Sequence, residues 1–142
     1  EQIRCVLGNA EIDNAILNPL SKGVRPISPG TKYKHYAPKA DVTILKGTRG
    51  AYIDYINNNC SGKNIVALCY DEDIPYLKVS AISYGKEADS TLQAEKLFDS
   101  LRAIDKIEGV DTVYARCPSQ SGIGLAVYNR LLRAAGFHII EI

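Results

Sequence analysis

NIVALCY, residues 64–70, is the stretch on which the fold turns. It is a continuous apolar run of strand length. A strand with one wet face alternates apolar and polar side chains. An unbroken run is expected where both faces are covered, as in a parallel sheet between two layers of helix.

Reading outward from this run gives a regular alternation. On its N-terminal side, DVTILKG (41–47) is apolar, β-branched and closed by Gly47, which reads as a strand. TRGAYIDYINNN (48–59) reads as a helix with Ala51, Ile53, Tyr55 and Ile56 on its apolar face, ended by the Asn run and Ser61-Gly62. On its C-terminal side, VSAISYG (79–85) is a third strand. STLQAEKLFDSLRAIDKI (90–107) is the longest helix, with Leu92, Leu97, Leu101, Ile104 and Ile107 at helical spacing. DTVYARC (111–117) is a fourth strand, GIGLAVYNRLLRAAG (122–136) a helix stopped by Gly136, and HIIEI (138–142) a fifth strand. Right-handed crossovers then predict an α/β fold: a three-layer, Rossmann-like domain with a mostly parallel five-stranded sheet and helices on both faces. The pattern does not give the strand order.

The chain has 142 residues, enough for one such domain and little more. Residues 1–40 have a different composition. A short amphipathic piece (Ile3, Val6, Leu7) leads into a path rich in Pro, Gly and Asn, which reads as an extended linker over 9–40. The sequence contains no Met and opens without a basic region followed by an apolar one, so it reads as a fragment or a processed product with no signal peptide. No apolar run approaches the roughly 20 residues of a membrane span. Cys5, Cys60, Cys69 and Cys117 form no CxxC pair, and only His35 and His138 could join them, so they are expected to be reduced, mostly buried thiols of a cytosolic protein and not zinc ligands.

The net charge is only +1, but it is unevenly spread. Lys22, Arg25, Lys32, Lys34 and Lys39 occur with no acid among them, whereas acids slightly outnumber bases from Asp41 onward. This basic segment is either a solvated linker or a contact for phosphates or a nucleic acid.

Few residues in the folded part carry chemistry by their spacing. RCPSQSGIGLA (116–126) would bring the N–H groups of Ser119, Ser121, Gly122 and Gly124 to a helix N-terminus, which favours an anion. It matches neither GxGxxG nor a Walker loop, and Gly124 and Ala126 are equally well explained as small residues that let the helix pack closely. Arg130 and Arg133 share a helix face, as a solvent face or as a basic ridge. Asp71-Glu72-Asp73 could hold Mg²⁺, but three consecutive side chains do not converge, and a solvated turn with a helix cap is the favoured reading. No Ser/His/Asp set and no paired carboxylates are visible. SPGTKYKHYAPKA (28–40) is different. Extended backbone would put Lys32, Lys34 and Tyr36 on one side and Tyr33 and His35 on the other; lysines can contact phosphates, and tyrosine and histidine can stack on a base or close a pocket, so a lid is one of several readings.

This stretch closely resembles the linker motif of the long, two-domain threonylcarbamoyl-AMP synthase family: Ser-Pro-Gly, any residue, Lys-Tyr, any residue, His-Tyr, any residue, Pro. AEKLFDSLRAIDKIEGVDTVYA (94–115) resembles the family's C-terminal-domain helix and following strand, with Leu97-Phe98, Leu101-Arg102 and Asp105 in place. GIGLAVYNRLLRAA (122–135) resembles its final helix. Thr31 and Tyr128 stand where the family often has Met, and Ser121 where it often has an acid. The resemblance implies that residues 1–8 end an N-terminal YrdC-like catalytic domain, that 9–40 form a linker and lid, and that 41–142 form the C-terminal domain. It implies an enzyme that makes threonylcarbamoyl-AMP and pyrophosphate from L-threonine, bicarbonate and ATP with Mg²⁺, for tRNA threonylcarbamoyladenosine modification in the cytoplasm. The isolated chain is then an accessory part without activity, and Ser28, Gly30, Lys32, Tyr33, His35 and Tyr36 face the nucleotide. Two alternatives stay open: a stand-alone nucleotide- or anion-binding module using 119–124 and, more weakly, a tRNA-binding module using the basic linker.

Overall fold

A computed structural model describes residues 37–142. Five strands alternate with three helices: β1 (Asp41–Lys46), α1 (Arg49–Asn59), β2 (Ile65–Cys69), β3 (Ser80–Ser83), α2 (Ser90–Asp105), β4 (Thr112–Arg116), α3 (Gly122–Ala134) and β5 (Ile139–Glu141). All five strands belong to one sheet in the order β3-β2-β4-β1-β5, and every pairing is parallel. The register is set by pairs such as Ile44 with Ala115, and Leu68 with both Ala115 and Ile82.

β2 is buried along its whole length, as an unbroken apolar run requires. Alternation of its side chains divides the core into two layers. Val66, Leu68 and Tyr70 join Val42, Ile44, Val113 and Ala115 beneath Leu97, Leu101 and Ile104 of α2 and Val127, Leu131 and Leu132 of α3. Ile65, Ala67 and Cys69 face the other way, with Leu45 and Tyr114, against Tyr52 and Ile56 of α1. The path obeys the handedness rule throughout. Moves toward β5 use the α2/α3 face, and moves toward β3 use the α1 face. The link from β2 to β3 has no α-helix: a single 3-10 turn (Ile74–Tyr76) crosses on the α1 side, and Leu77 and Val79 pack there.

The helix ends follow their caps. Thr48 Oγ1 accepts the Ala51 N–H at 3.2 Å, and Asp89 Oδ1 accepts the Leu92 N–H at 2.9 Å. Gly136, at φ 57°, turns the chain out of α3, so Phe137 N–H reaches the Leu132 carbonyl.

Three apolar faces differ from the periodic reading. In α1 the fully buried residues are Tyr52 and Ile56, while Ala51, Ile53 and Tyr55 are half-buried. Tyr52 can be buried because its hydroxyl donates to the carbonyls of Tyr114 (2.9 Å) and Leu68 (3.3 Å). In α2 the helix ends at Asp105, and Ile107 lies beyond it, 37% exposed. Ala126 is exposed and plays no part in close packing. Gly124 does: a Cβ there would lie 2.7 Å from both Cβ and the carbonyl oxygen of Ser119. The backbone oxygen cannot swing away, so the clash outweighs alanine's helix propensity. Gly124→Ala should therefore destabilise the chain by about 1–3 kcal/mol in urea melts, whereas Ala126→Gly should cost about 1 kcal/mol through propensity alone.

Candidate functional site

In open α/β sheets ligands bind beyond the carboxyl ends of the strands. At that end of this sheet a group of charged and aromatic side chains meets. Arg116, the last residue of β4, is only 5% exposed. Its Nη2 donates to Glu87 Oε1 at 2.9 Å, and its Nε lies 3.9 Å from Asp73 Oδ2. Asp73 is fully buried. It also faces Arg49 Nε at 3.2 Å and accepts the Tyr70 N–H at 3.2 Å. Arg49, in the first turn of α1, further donates to the Glu72 carbonyl and lies 5.2 Å from the Tyr76 ring centre. The Arg116 guanidinium lies 5.5 Å from the ring centres of Tyr52 and Tyr70, one from each layer of the core.

Three buried tyrosine hydroxyls close the same end by donating to strand-end carbonyls. Tyr52 serves Tyr114 and Leu68, Tyr84 serves Arg116 at 2.8 Å, and Tyr70 serves Cys117 at 3.3 Å. Burial pushes the Tyr52 and Tyr84 hydroxyls well above the usual tyrosine range, so they remain donors. Burial also raises the Asp73 carboxyl, and this outweighs the Tyr70 N–H and the two guanidinium groups that favour its charged form. The Cys69 thiol is pushed up to about 12, first by burial and then by Asp73 and Asp71.

The sequence-derived candidates fall as follows. Ser28, Gly30, Lys32, Tyr33, His35 and Tyr36 lie outside the described residues. Asp71-Glu72-Asp73 is not a simple solvated turn. Asp73 is buried between two arginines, caps no helix through its side chain, and each of the other two is engaged, Asp71 with Ser83 Oγ and Glu72 Oε2 with the Glu87 N–H. Among the described residues, no group of three His, Cys, Asp or Glu side chains could hold a metal ion. In the 119–124 loop the Ser119 and Ser121 hydroxyls bond each other at 3.1 Å. Arg130 lies 5.3 Å from the Phe98 ring centre, tying α3 to α2, in place of a free basic ridge. Pattern reading missed the roles of Arg116, Arg49 and Glu87, and it read Asp73 as part of a solvated turn. An arginine ending an otherwise apolar strand was a signal for Arg116; its acidic partners, Asp73 and Glu87, lie in two other loops.

The fold defines a doubly wound parallel α/β domain with a buried cluster of charged and aromatic side chains at the carboxyl end of its sheet. The comparisons give the family. The chain matches the family described as threonylcarbamoyl-AMP synthase, C-terminal domain, over residues 1–136. It is 34% identical over 143 residues to the threonylcarbamoyl-AMP synthase of Bacillus subtilis, covering 99% of this chain and 40% of that protein. It is 32% identical over 151 residues to that of Pyrococcus abyssi, covering 100% and 41%. The crystal structure of P. abyssi Sua5 with L-threonine superposes with a TM-score of 0.77 at 31% identity, over 99% of this chain and 41% of that one. A variant of the same protein, with an adjacent histidine and tyrosine both changed to alanine, superposes at 0.73 and 28% identity, over 99% and 40%. The chain belongs to the threonylcarbamoyl-AMP synthase C-terminal domain family, and it spans about 40% of the length of these relatives.

Two outcomes follow from the buried cluster. Asp73→Ala leaves the Arg116 guanidinium buried with only Glu87 as counter-charge, and should cost about 3 kcal/mol or more in urea melts, since breaking a buried pair strands a charge. Cys69 should resist iodoacetamide near neutral pH in the folded chain and react once urea unfolds it, read by peptide mass mapping. Alkylation of folded Cys69 at the rate of a free thiol would contradict the buried assignment.

Proposed function

We propose that this chain is the linker and C-terminal domain of a two-domain threonylcarbamoyl-AMP synthase, with residues 1–8 ending a YrdC-like catalytic domain, 9–40 forming the linker and lid, and 41–142 forming the accessory domain. The observation that carries the reading is the match, across nearly the whole chain, to a family defined as the C-terminal domain of that enzyme, at about 40% of the relatives' length. The start of β1 at Asp41 fits the boundary. The free thiols Cys60, Cys69 and Cys117 fit a reducing compartment such as the cytoplasm, and among the described residues no helix is long and apolar enough to cross a membrane.

In the complete enzyme, the L-threonine amine would combine with bicarbonate to give a carbamate and water. A carbamate oxygen would then attack the α-phosphorus of ATP, and pyrophosphate would leave with Mg²⁺ as its counter-ion. Carbamates decompose in water, so a closed, dry site assists the step. The lid is the segment with the groups for closure. Lys32 meets the phosphates, Tyr33, His35 and Tyr36 seal and orient, and Ser28 and Gly30 let the backbone approach. The P. abyssi variant bears on this pair of aromatics: its altered residues are an adjacent His-Tyr, and the one His-Tyr pair of this sequence is His35-Tyr36.

Activity of the whole enzyme separates a lid from a simple glue between domains. In the full two-domain protein, Lys32→Ala and His35→Ala should each slow threonylcarbamoyl-AMP formation by about tenfold or more, the scale of one lost positioned contact, with melting temperature unchanged. Normal turnover with lowered melting would make these residues glue. Pyrophosphate release by residues 1–142 alone, given ATP, threonine and bicarbonate, would overturn the accessory assignment.

A further inference from the structure

The Arg116 guanidinium has one arm unused. Its side chain is only 6% exposed, and Nη2 donates to Glu87 Oε1 at 2.9 Å. Nη1 is buried with no hydrogen-bond partner among the described residues. Glu87 thus meets the guanidinium through one oxygen, where a carboxylate or phosphate set end-on would take both Nη atoms as a bidentate pair. A buried donor without an acceptor carries a desolvation cost, and a bidentate anion would remove it. The arginine itself is held in place. Its guanidinium lies 5.5 Å from the ring centres of Tyr52 and Tyr70, and Nε is 3.9 Å from Asp73 Oδ2. Arg49, 3.2 Å from the other oxygen of Asp73, brings a second positive charge on a side chain that is 41% exposed. Glu87 is the movable part. Its side chain is 50% exposed, but its backbone is pinned: its N–H bonds Glu72 Oε2 at 3.2 Å, and Gln93 Nε2 donates to the Lys86 and Glu87 carbonyls at 2.7 and 3.1 Å. Rotation of that side chain into the water it already touches would clear Nη2 without moving the loop.

We propose that Arg116 is the core of a binding site for a small oxyanion, a carboxylate or a phosphate, and that Glu87 occupies it as an internal stand-in when no ligand is bound. The site lies at the carboxyl end of the sheet, where doubly wound domains take their ligands. It uses none of residues 119–124, and it does not depend on the two-domain reading above. Binding is an exchange. The incoming oxyanion gives Arg116 two hydrogen bonds in place of the one that Glu87 withdraws, and the Glu87 carboxylate becomes fully hydrated. Glu87 is tethered beside the arginine, so it competes at an effective concentration of about millimolar or above, and a free anion binds the parent chain in the millimolar range.

The test is titration calorimetry on the full 142-residue chain, with inorganic phosphate and acetate as the probes and chloride holding the ionic strength constant. At least one probe should bind the parent, and the tighter of the two gives the class of ligand. Glu87→Gln removes the charge of the internal competitor and should tighten binding about tenfold. Glu108→Gln removes the same charge from the exposed turn after α2, at the other end of the sheet, and should leave affinity unchanged. Arg116→Lys keeps the positive charge without the fork and should weaken binding about tenfold or more. Should Arg116→Lys fail to fold, the two glutamate variants decide. No heat from either anion in the parent at tens of millimolar overturns the site. Unchanged affinity in Glu87→Gln overturns it too, because Glu87 would not be standing in for a ligand. Equal tightening in Glu87→Gln and Glu108→Gln, or undiminished binding in folded Arg116→Lys, also overturns it, since attraction to the basic residues before Asp41 would then account for the heat.

Discussion

The architecture depends on how one buried arginine is neutralised. Arg116 ends the central strand of the sheet, where the two core layers meet, and an uncompensated guanidinium there would cost several kcal/mol. Asp73 and Glu87 neutralise it, and Arg49 completes the Asp73 contact. These residues come from the segments following β1, β2, β3 and the end of β4. One network of charges thus holds together the loops that in other doubly wound domains part to admit a ligand. Tyrosine hydroxyls on the adjacent carbonyls finish the closure.

The two ends of the sheet therefore do different work. At the carboxyl end the carbonyls of Leu68, Tyr114, Arg116 and Cys117 each accept from a tyrosine hydroxyl, while Asp73 Oδ1 and Arg116 Nη1 are buried without a hydrogen-bond partner among the described residues. The amino end is where the chain arrives, at Lys39 and Ala40, beside the C-terminus of α2 and the start of β4. The chain thus arrives at one end of the sheet, and the buried charged and aromatic cluster sits at the other.

The short link between β2 and β3 explains why Asp73 can meet Arg116. Parallel strands need a crossover, and a full helix on the α1 side would place its own N-terminus at the carboxyl end of β2. The 3-10 turn instead brings Asp73 directly beneath Arg116, and Asn57 of α1 fastens it through the Tyr76 carbonyl at 2.9 Å and the Lys78 N–H at 2.9 Å. The acidic trio that read as a surface turn is in part an internal counter-charge because this crossover is so short.

The sequence by itself determined the layers, the order of strands and helices along the chain, and the family. Local patterns carry these: the unbroken apolar run of β2, the stop at Gly136, and the linker and helix motifs with their residues in order. Tertiary structure alone decided the strand order, the burial of Tyr52 in place of Ala51 and Ile53, the internal use of Asp73, and the bond from Asp105 to Lys39. Each of these is a pairing between residues far apart in the chain. A side chain's local pattern shows that it is apolar, or charged, or able to cap. Whether a charge meets water or an opposite charge is settled only when crossovers bring distant loops together, and that geometry has no local signature in the sequence.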